Sequence, residues 1–138
     1  MVAANIKATF QCDVQRVWSI VTSLDNYSWR SDLSKIEILS ESKFVEYTKD
    51  GHATTFTITA TEPCQRWEFD MDSKNITGHW IGLFSQTGAV TTIDFTEYVA
   101  VKKFWLKPFL KRYLKKQQAL YVADLEKALL CQSECTCK

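Results

Sequence analysis

The 138-residue chain is 46% hydrophobic and 24% charged, enough for one globular core and unlike a disordered polymer. Nowhere do eighteen apolar residues run together, and the segment MVAANIKATFQCD has no apolar stretch of the signal-peptide kind, so a spanning helix is excluded and a cytoplasmic location is expected. The net charge of +1 hides a split: residues 1–101 carry eight Lys/Arg against thirteen Asp/Glu, and residues 102–138 carry nine against three.

Residues 5–12 alternate as a first strand, with Ile6, Ala8 and Phe10 on one face. Asp13 stands where a helix N-cap belongs, and Val14, Val17, Trp18 and Val21 recur at helical spacing over 14–23. A second short helix is expected around Asn26–Arg30 within the turn-rich LDNYSWRSDL. From Leu33 the period changes to two: a strand through Ile36 and Ile38, then a hairpin turning at Asp50-Gly51, where glycine suits a positive φ. Pro63 breaks the pairing because it has no N–H to donate. RWEFDMD then alternates Trp67, Phe69 and Met71 against Glu68, Asp70 and Asp72. Two further strands, about 77–86 and 89–101, meet near Thr87-Gly88, which completes an antiparallel meander of seven strands. Pro108 suits the first turn of a long helix over 108–130 carrying the stripe Leu110, Tyr113, Leu114, Gln117, Leu120, Tyr121, Leu125 and Ala128. The expected division is one domain, 1–130, and a Cys-containing tail, 131–138.

This order of elements, with the segment VQRVWSIVTSLDNYSWRSDLSKIEIL, resembles the START-like, or SRPBCC, superfamily, in particular its polyketide cyclase/dehydrase and lipid-transport branch. The matching positions are Val17, Trp18, Tyr27 and Trp29. The resemblance implies an α+β helix-grip fold, in which a curved antiparallel sheet and the C-terminal helix enclose a cavity for apolar or amphipathic ligands. It does not choose among carriers, binding proteins and cyclases.

If alternation holds, one sheet face carries Ile36, Ile38, Val45, Tyr47, Phe56, Ile58, Trp67, Phe69, Ile81, Leu83, Ile93 and Phe95, opposite the helix stripe. Those side chains either line a pocket or fill it. Glu97 and His79 fall on the same face by period two, as a ligand-orienting pair with Tyr47 or as a general acid and base. Arg30 and Asp32, beside Trp29, are placed at the rim of the cavity or in a surface pair. The expected ligand contacts are therefore Tyr47, Phe56, Ile58, Trp67, Phe69, His79, Ile81, Leu83, Phe95, Glu97, Leu110, Tyr113, Leu114, Gln117 and Tyr121.

Lys103, Lys107, Lys111 and Lys115 recur every four residues, with Arg112 and Lys116 beside them and Phe104, Trp105 and Phe109 close by. Such a flank suits an anionic membrane surface, with RNA ranked below it for want of a stacking platform. The alternative is a solvated face with Trp105 tucked into the core. Cys131, Cys135 and Cys137 lack the paired spacing of a closed zinc site, and no metal or organic cofactor is called for. With no P-loop, GxGxxG, GxSxG or HExxH, nucleotide-dependent and common hydrolytic chemistries lose support. Three readings follow: a binder or carrier of a small hydrophobic molecule, a cyclase or dehydratase using Glu97 and His79, and a protein-interaction module using the basic helix 102–116.

Overall fold

A computed structural model describes residues 1–136, with side chains as far as Leu130. Strand β1 (Val2–Phe10) leads into helix α1 (Val14–Thr22), and strands β2 (Leu33–Ile38), β3 (Lys43–Thr48), β4 (Ala53–Glu62), β5 (Arg66–Ser73), β6 (Ile76–Thr87) and β7 (Val90–Val101) follow. A single 3-10 turn, Phe104–Leu106, then leads into helix α2 (Lys107–Thr136). All seven strands form one antiparallel sheet in the order β1-β7-β6-β5-β4-β3-β2, a meander to which β1 adds itself beside β7. This is the helix-grip architecture expected of START-like proteins.

Local chemistry explains the element ends. Asp13 caps α1 by accepting from the Gln15 N–H at 2.9 Å, which satisfies one of the free donors of the first turn. Gly51 and Gly88 hold φ of 89° and 61° at the two expected hairpin turns. The second short helix expected around Asn26–Arg30 does not form; that stretch holds a single turn, in which the Arg30 N–H donates to the Tyr27 carbonyl at 3.0 Å. Its short polar side chains bond locally instead: the Asn26 N–H donates to Ser23 Oγ, and the Ser28 hydroxyl donates to Asn26 Oδ1. Helix α2 runs beyond the expected 108–130, while the side chains of Cys131, Cys135 and Cys137 lie outside the described residues.

Register lays the inward residues in rows across the sheet. One row is Phe44–Phe56–Met71–Gly78–Val99, the next Ile58–Phe69–Trp80–Glu97–Ala4, and the third Trp67–Gly82–Phe95–Ile6. Two strands show the face opposite to that expected. In β6, Trp80 and Phe84 are buried, whereas His79, Ile81 and Leu83 lie on the outer face. Both parities of HWIGLF are apolar, and the larger rings gain more from burial. In β3, Phe44 and Glu46 lie on the inner face, while Val45, itself buried, and Tyr47 lie on the opposite one, because Phe44 stacks on Phe56 with centroids 5.0 Å apart. Ile38 is exposed at the end of β2.

On α2 the buried stripe is Leu110, Leu114, Gln118, Asp124, Leu125, Ala128 and Leu129, while Tyr113 and Leu120 are exposed. Helix α2 also closes the free edge of β1. Lys111 donates to the Ala3 carbonyl, Lys115 to the Asn5 carbonyl, and the buried Gln118 Nε2 to the Ala4 carbonyl at 3.0 Å.

Candidate functional site

Between the inner face of the sheet and α2 lies a cavity of about 160 Å³. Its sheet wall is aromatic: Phe44, Phe56, Trp67, Phe69, Trp80 and Phe95, with Ile6, Ile36 and Met71 between them. These rings touch one another in sequence, Phe69 stacking on Trp80 at 4.7 Å and Trp80 meeting Phe95 at 4.7 Å. The indole of Trp80 has this position because residue 82 is glycine. A Cβ there would stand 2.4 Å from Trp80 Cη2. The half-exposed lining residues Leu24, Tyr27, Asp32 and Gln117, with the exposed Leu120, mark a mouth between segment 23–32 and the middle of α2.

Polar groups enter this apolar space at three places. Glu97 lies in a row between Trp80 and Ala4, and among the described residues it has neither a hydrogen-bond nor an ion-pair partner. Burial pushes its carboxyl up to about 7. Near the mouth, Arg30 grips Asp32 through two hydrogen bonds of 3.1 Å and reaches Glu46 at 3.5 Å. Its guanidinium also lies 4.7 Å from the centre of the Tyr121 ring. Burial works against the charge on Arg30, but Glu46, Tyr121 and Asp32 outweigh it and hold the group cationic. Burial raises the Glu46 carboxyl and Arg30 draws it back; burial also raises the Tyr121 hydroxyl. Finally, Trp29 and Gln118 each line the cavity and each carry a buried polar atom, Trp29 Nε1 and Gln118 Oε1, with no hydrogen-bond partner among the described residues.

Segment 23–32 is held against α2 by Asp124, a buried carboxylate that accepts from the Ser31 N–H at 2.9 Å and the Ser31 hydroxyl at 2.8 Å. Trp29 packs edge-on against Tyr121 at 5.2 Å. Of the residues that carry the family resemblance, Val17 and Trp18 serve packing, Trp18 lying against Phe84 at 5.0 Å. Tyr27 and Trp29 line the cavity.

The cavity gathers Phe56, Trp67, Phe69, Phe95, Glu97, Gln117 and Tyr121 from the expected ligand contacts. It leaves out Tyr47, His79, Ile81 and Leu83, which face outward, and Tyr113, which is exposed. Ile58, Leu110 and Leu114 pack in or against the core without lining the cavity. The expected acid–base pair of Glu97 and His79 is therefore not formed, since the two stand on opposite faces of the sheet. His79 instead lies 2.6 Å from Asp70 and 2.8 Å from Glu68 on the outer surface. Tyr47 is 3.3 Å from Glu37 and packs under Lys35. Sequence reading missed Trp80, Phe44, Glu46 and Gln118, although Glu46 follows Phe44 at period two and so shares its face.

The model of the family described as polyketide cyclase / dehydrase and lipid transport matches residues 1–129. The chain belongs to that family. A comparison with curated proteins finds no match. Among solved structures it is similar to a START superfamily protein from Mycobacterium smegmatis, with TM-score 0.84 and 12% identity over 91% of this chain and 95% of that one. It is also similar to the Zhui aromatase/cyclase from Streptomyces sp. R1128, with TM-score 0.82 and 10% identity over 92% of each chain. A conserved protein from Geobacillus kaustophilus superposes with TM-score 0.81 at 12% identity, covering 94% of this chain and 95% of that one. At such identities these likenesses show the shared fold alone. Among the described residues no group of three His, Cys, Asp or Glu is placed to hold a metal, and no helix is long and apolar enough to cross a membrane.

Proposed function

We propose that the chain binds a small hydrophobic molecule containing one or two rings and at least one hydrogen-bonding group, held between the sheet and α2. The observation that carries this reading is the aromatic-walled cavity with an unpaired Glu97 inside it. Size sets the class. A dry apolar cavity of about 150 Å³ admits a benzene ring, whereas drug-sized ligands take roughly 300–1,000 Å³. A fused multi-ring polyketide or a two-chain lipid exceeds this space unless segment 23–32 swings outward.

Area alone does not make the affinity. Burying on the order of 150 Å² of ring at about 25 cal/mol per Å² contributes about 4 kcal/mol, a millimolar constant before the costs of association. The polar groups supply the rest. Glu97, about half protonated at neutral pH, donates in its protonated form to a ligand carbonyl or hydroxyl, Trp29 Nε1 offers a donor, and Gln118 Oε1 offers an acceptor. Among the described residues Cys12 and Cys64 form no disulfide, which suits a reducing compartment, and we propose the cytoplasm as the site of this binding.

The Glu97 carboxyl also favours one catalytic reading, a cyclase or dehydratase step in which Glu97 alone moves the proton, since a group near 7 both gives and takes protons at neutral pH. The binding reading is tested with single-ring phenols and aryl ketones by ¹H–¹⁵N NMR. Saturable shifts of the Trp29 and Trp80 indole N–H signals, lost in Leu24→Trp, which crowds the mouth, would establish it. No shift with any probe at millimolar concentration, together with no compound extracted from protein purified from its source cells, would overturn it. Turnover of a bound ketone that disappears in Glu97→Gln would move the assignment from carrier to enzyme.

A further inference from the structure

The junction between the sheet and α2 is built from large apolar side chains that the core does not use. Phe104 is 83% exposed, Trp105 58%, Phe109 69% and Tyr113 56%. Trp105 is not tucked inside; its ring stands edge-on to that of Phe104, with centroids 5.5 Å apart. Four aromatic rings in ten residues, presented to solvent on one short stretch, form a patch that an isolated surface would not retain at random.

The charges around the patch have a clear division of labour. Between Lys102 and Lys116 there are seven Lys/Arg and no acid. Lys102 pairs with Asp72 at 2.6 Å, and Lys111 and Lys115 are committed to the carbonyls along β1. Among the described residues, Lys103, Lys107, Arg112 and Lys116 have no ion-pair partner. At 100° per residue, Phe109, Arg112, Tyr113, Lys116 and Leu120 share one face of α2, so free cations and exposed rings alternate along a single stripe. The flank expected from the four-residue repeat of lysines is therefore not the docking face; half of it is spent on β1.

We infer that this stripe, with the Phe104–Trp105 turn at its lower end, is a docking surface for an anionic lipid bilayer. Aromatic rings settle at the level of the headgroups, and lysine and arginine beside them meet anionic lipid. The charge split of the chain orients the approach, since the basic end leads and the acidic sheet trails. The stripe ends at Leu120, which also lines the cavity, so a docked molecule presents its mouth near the membrane, where small apolar compounds concentrate.

The test is co-sedimentation of the full chain with vesicles of phosphatidylcholine alone and of phosphatidylcholine mixed with phosphatidylserine, with single-stranded RNA as a soluble competitor. Binding at least tenfold stronger to the mixed vesicles, reduced by salt, is expected. Trp105→Ser with Phe109→Ser should lower it at least tenfold, and Arg112→Glu with Lys116→Glu should abolish it. Because these side chains are exposed, thermal unfolding of the variants should match the parent, and the Trp29 response to phenols should persist. That last readout separates failure of docking from failure of the ligand reading. Equal binding to both vesicle types, an unchanged affinity in the serine variant, or RNA displacing the protein from vesicles as the tighter partner would overturn the inference.

Discussion

At the scale of single residues, two protonation equilibria favour the folded chain at mildly acidic pH. Glu97 titrates near 4.3 in an unfolded chain and is held up to about 7 by burial, so the unfolded state loses its proton first. Stability then falls as pH rises from about 4.5 to about 7 and levels off above, a loss on the order of 3 to 4 kcal/mol. Glu97→Gln should remove this slope and raise stability at pH 8 by the same order, as read from urea melts across pH. His79 acts in the same direction. Burial opposes its charge, yet hydrogen bonds to Glu68 and Asp70 outweigh that and raise it above its ordinary value near 6.5. Its contribution is complete below that value and is lost as pH climbs through the folded one. Asp70→Asn should bring the imidazole midpoint down in an NMR titration; an unchanged midpoint would show that Glu68 alone holds the proton. Glu97 was legible in the sequence by its spacing from Ile93 and Phe95. The fate of His79 was not, because HWIGLF is apolar on both faces and period two does not say which face wins.

At the scale of elements, two glycines make room for their neighbours in the sheet. A Cβ on Gly82 would overlap the Trp80 ring, and one on Gly78 would stand 2.5 Å from the Tyr98 carbonyl oxygen, a backbone atom that cannot step aside. Gly82→Ala should cost about 1–3 kcal/mol and displace the Trp80 indole into the cavity, visible as loss of phenol-induced shifts. Segment 23–32 depends on another long-range tie. Asp124→Ala removes both acceptor bonds to Ser31 and should cost about 1–3 kcal/mol, with faster amide exchange confined to the segment. The strands, α1 and the start of α2 could be read from period, cap and proline. The buried Asp124 could not, because its partner Ser31 is 93 residues away and no local pattern marks the pair. The stretch around Asn26–Arg30, read as turn-rich, was given a short helix for a related reason: Asn and Ser make hydrogen bonds that compete with a helix, and composition alone does not decide the outcome.

Across the whole molecule, α2 does three jobs with different faces: it closes the core through Leu110, Leu114 and Leu125, lines the cavity through Gln117 and Tyr121, and carries lysines to the edge of β1. An uncovered edge strand invites another chain to pair with it. Lys111→Met with Lys115→Met should leave the fold intact and increase concentration-dependent association, measured by sedimentation at two protein concentrations. The basic repeat was visible in the sequence as a repeat. Only the three-dimensional placement of β1 beside α2 reveals that two of its members are structural.

The contiguous rings of the cavity wall give the molecule its own optical signal. Trp67 and Trp80 lie 6.1 Å apart with planes inclined at 82°, and Trp80 also stacks on Phe69. Two indoles that close and that oblique share their electronic excitations, so the folded chain should show a paired positive and negative band in its circular dichroism. A guest entering between the sheet and α2 would change that coupling directly, and its arrival would be readable without any label.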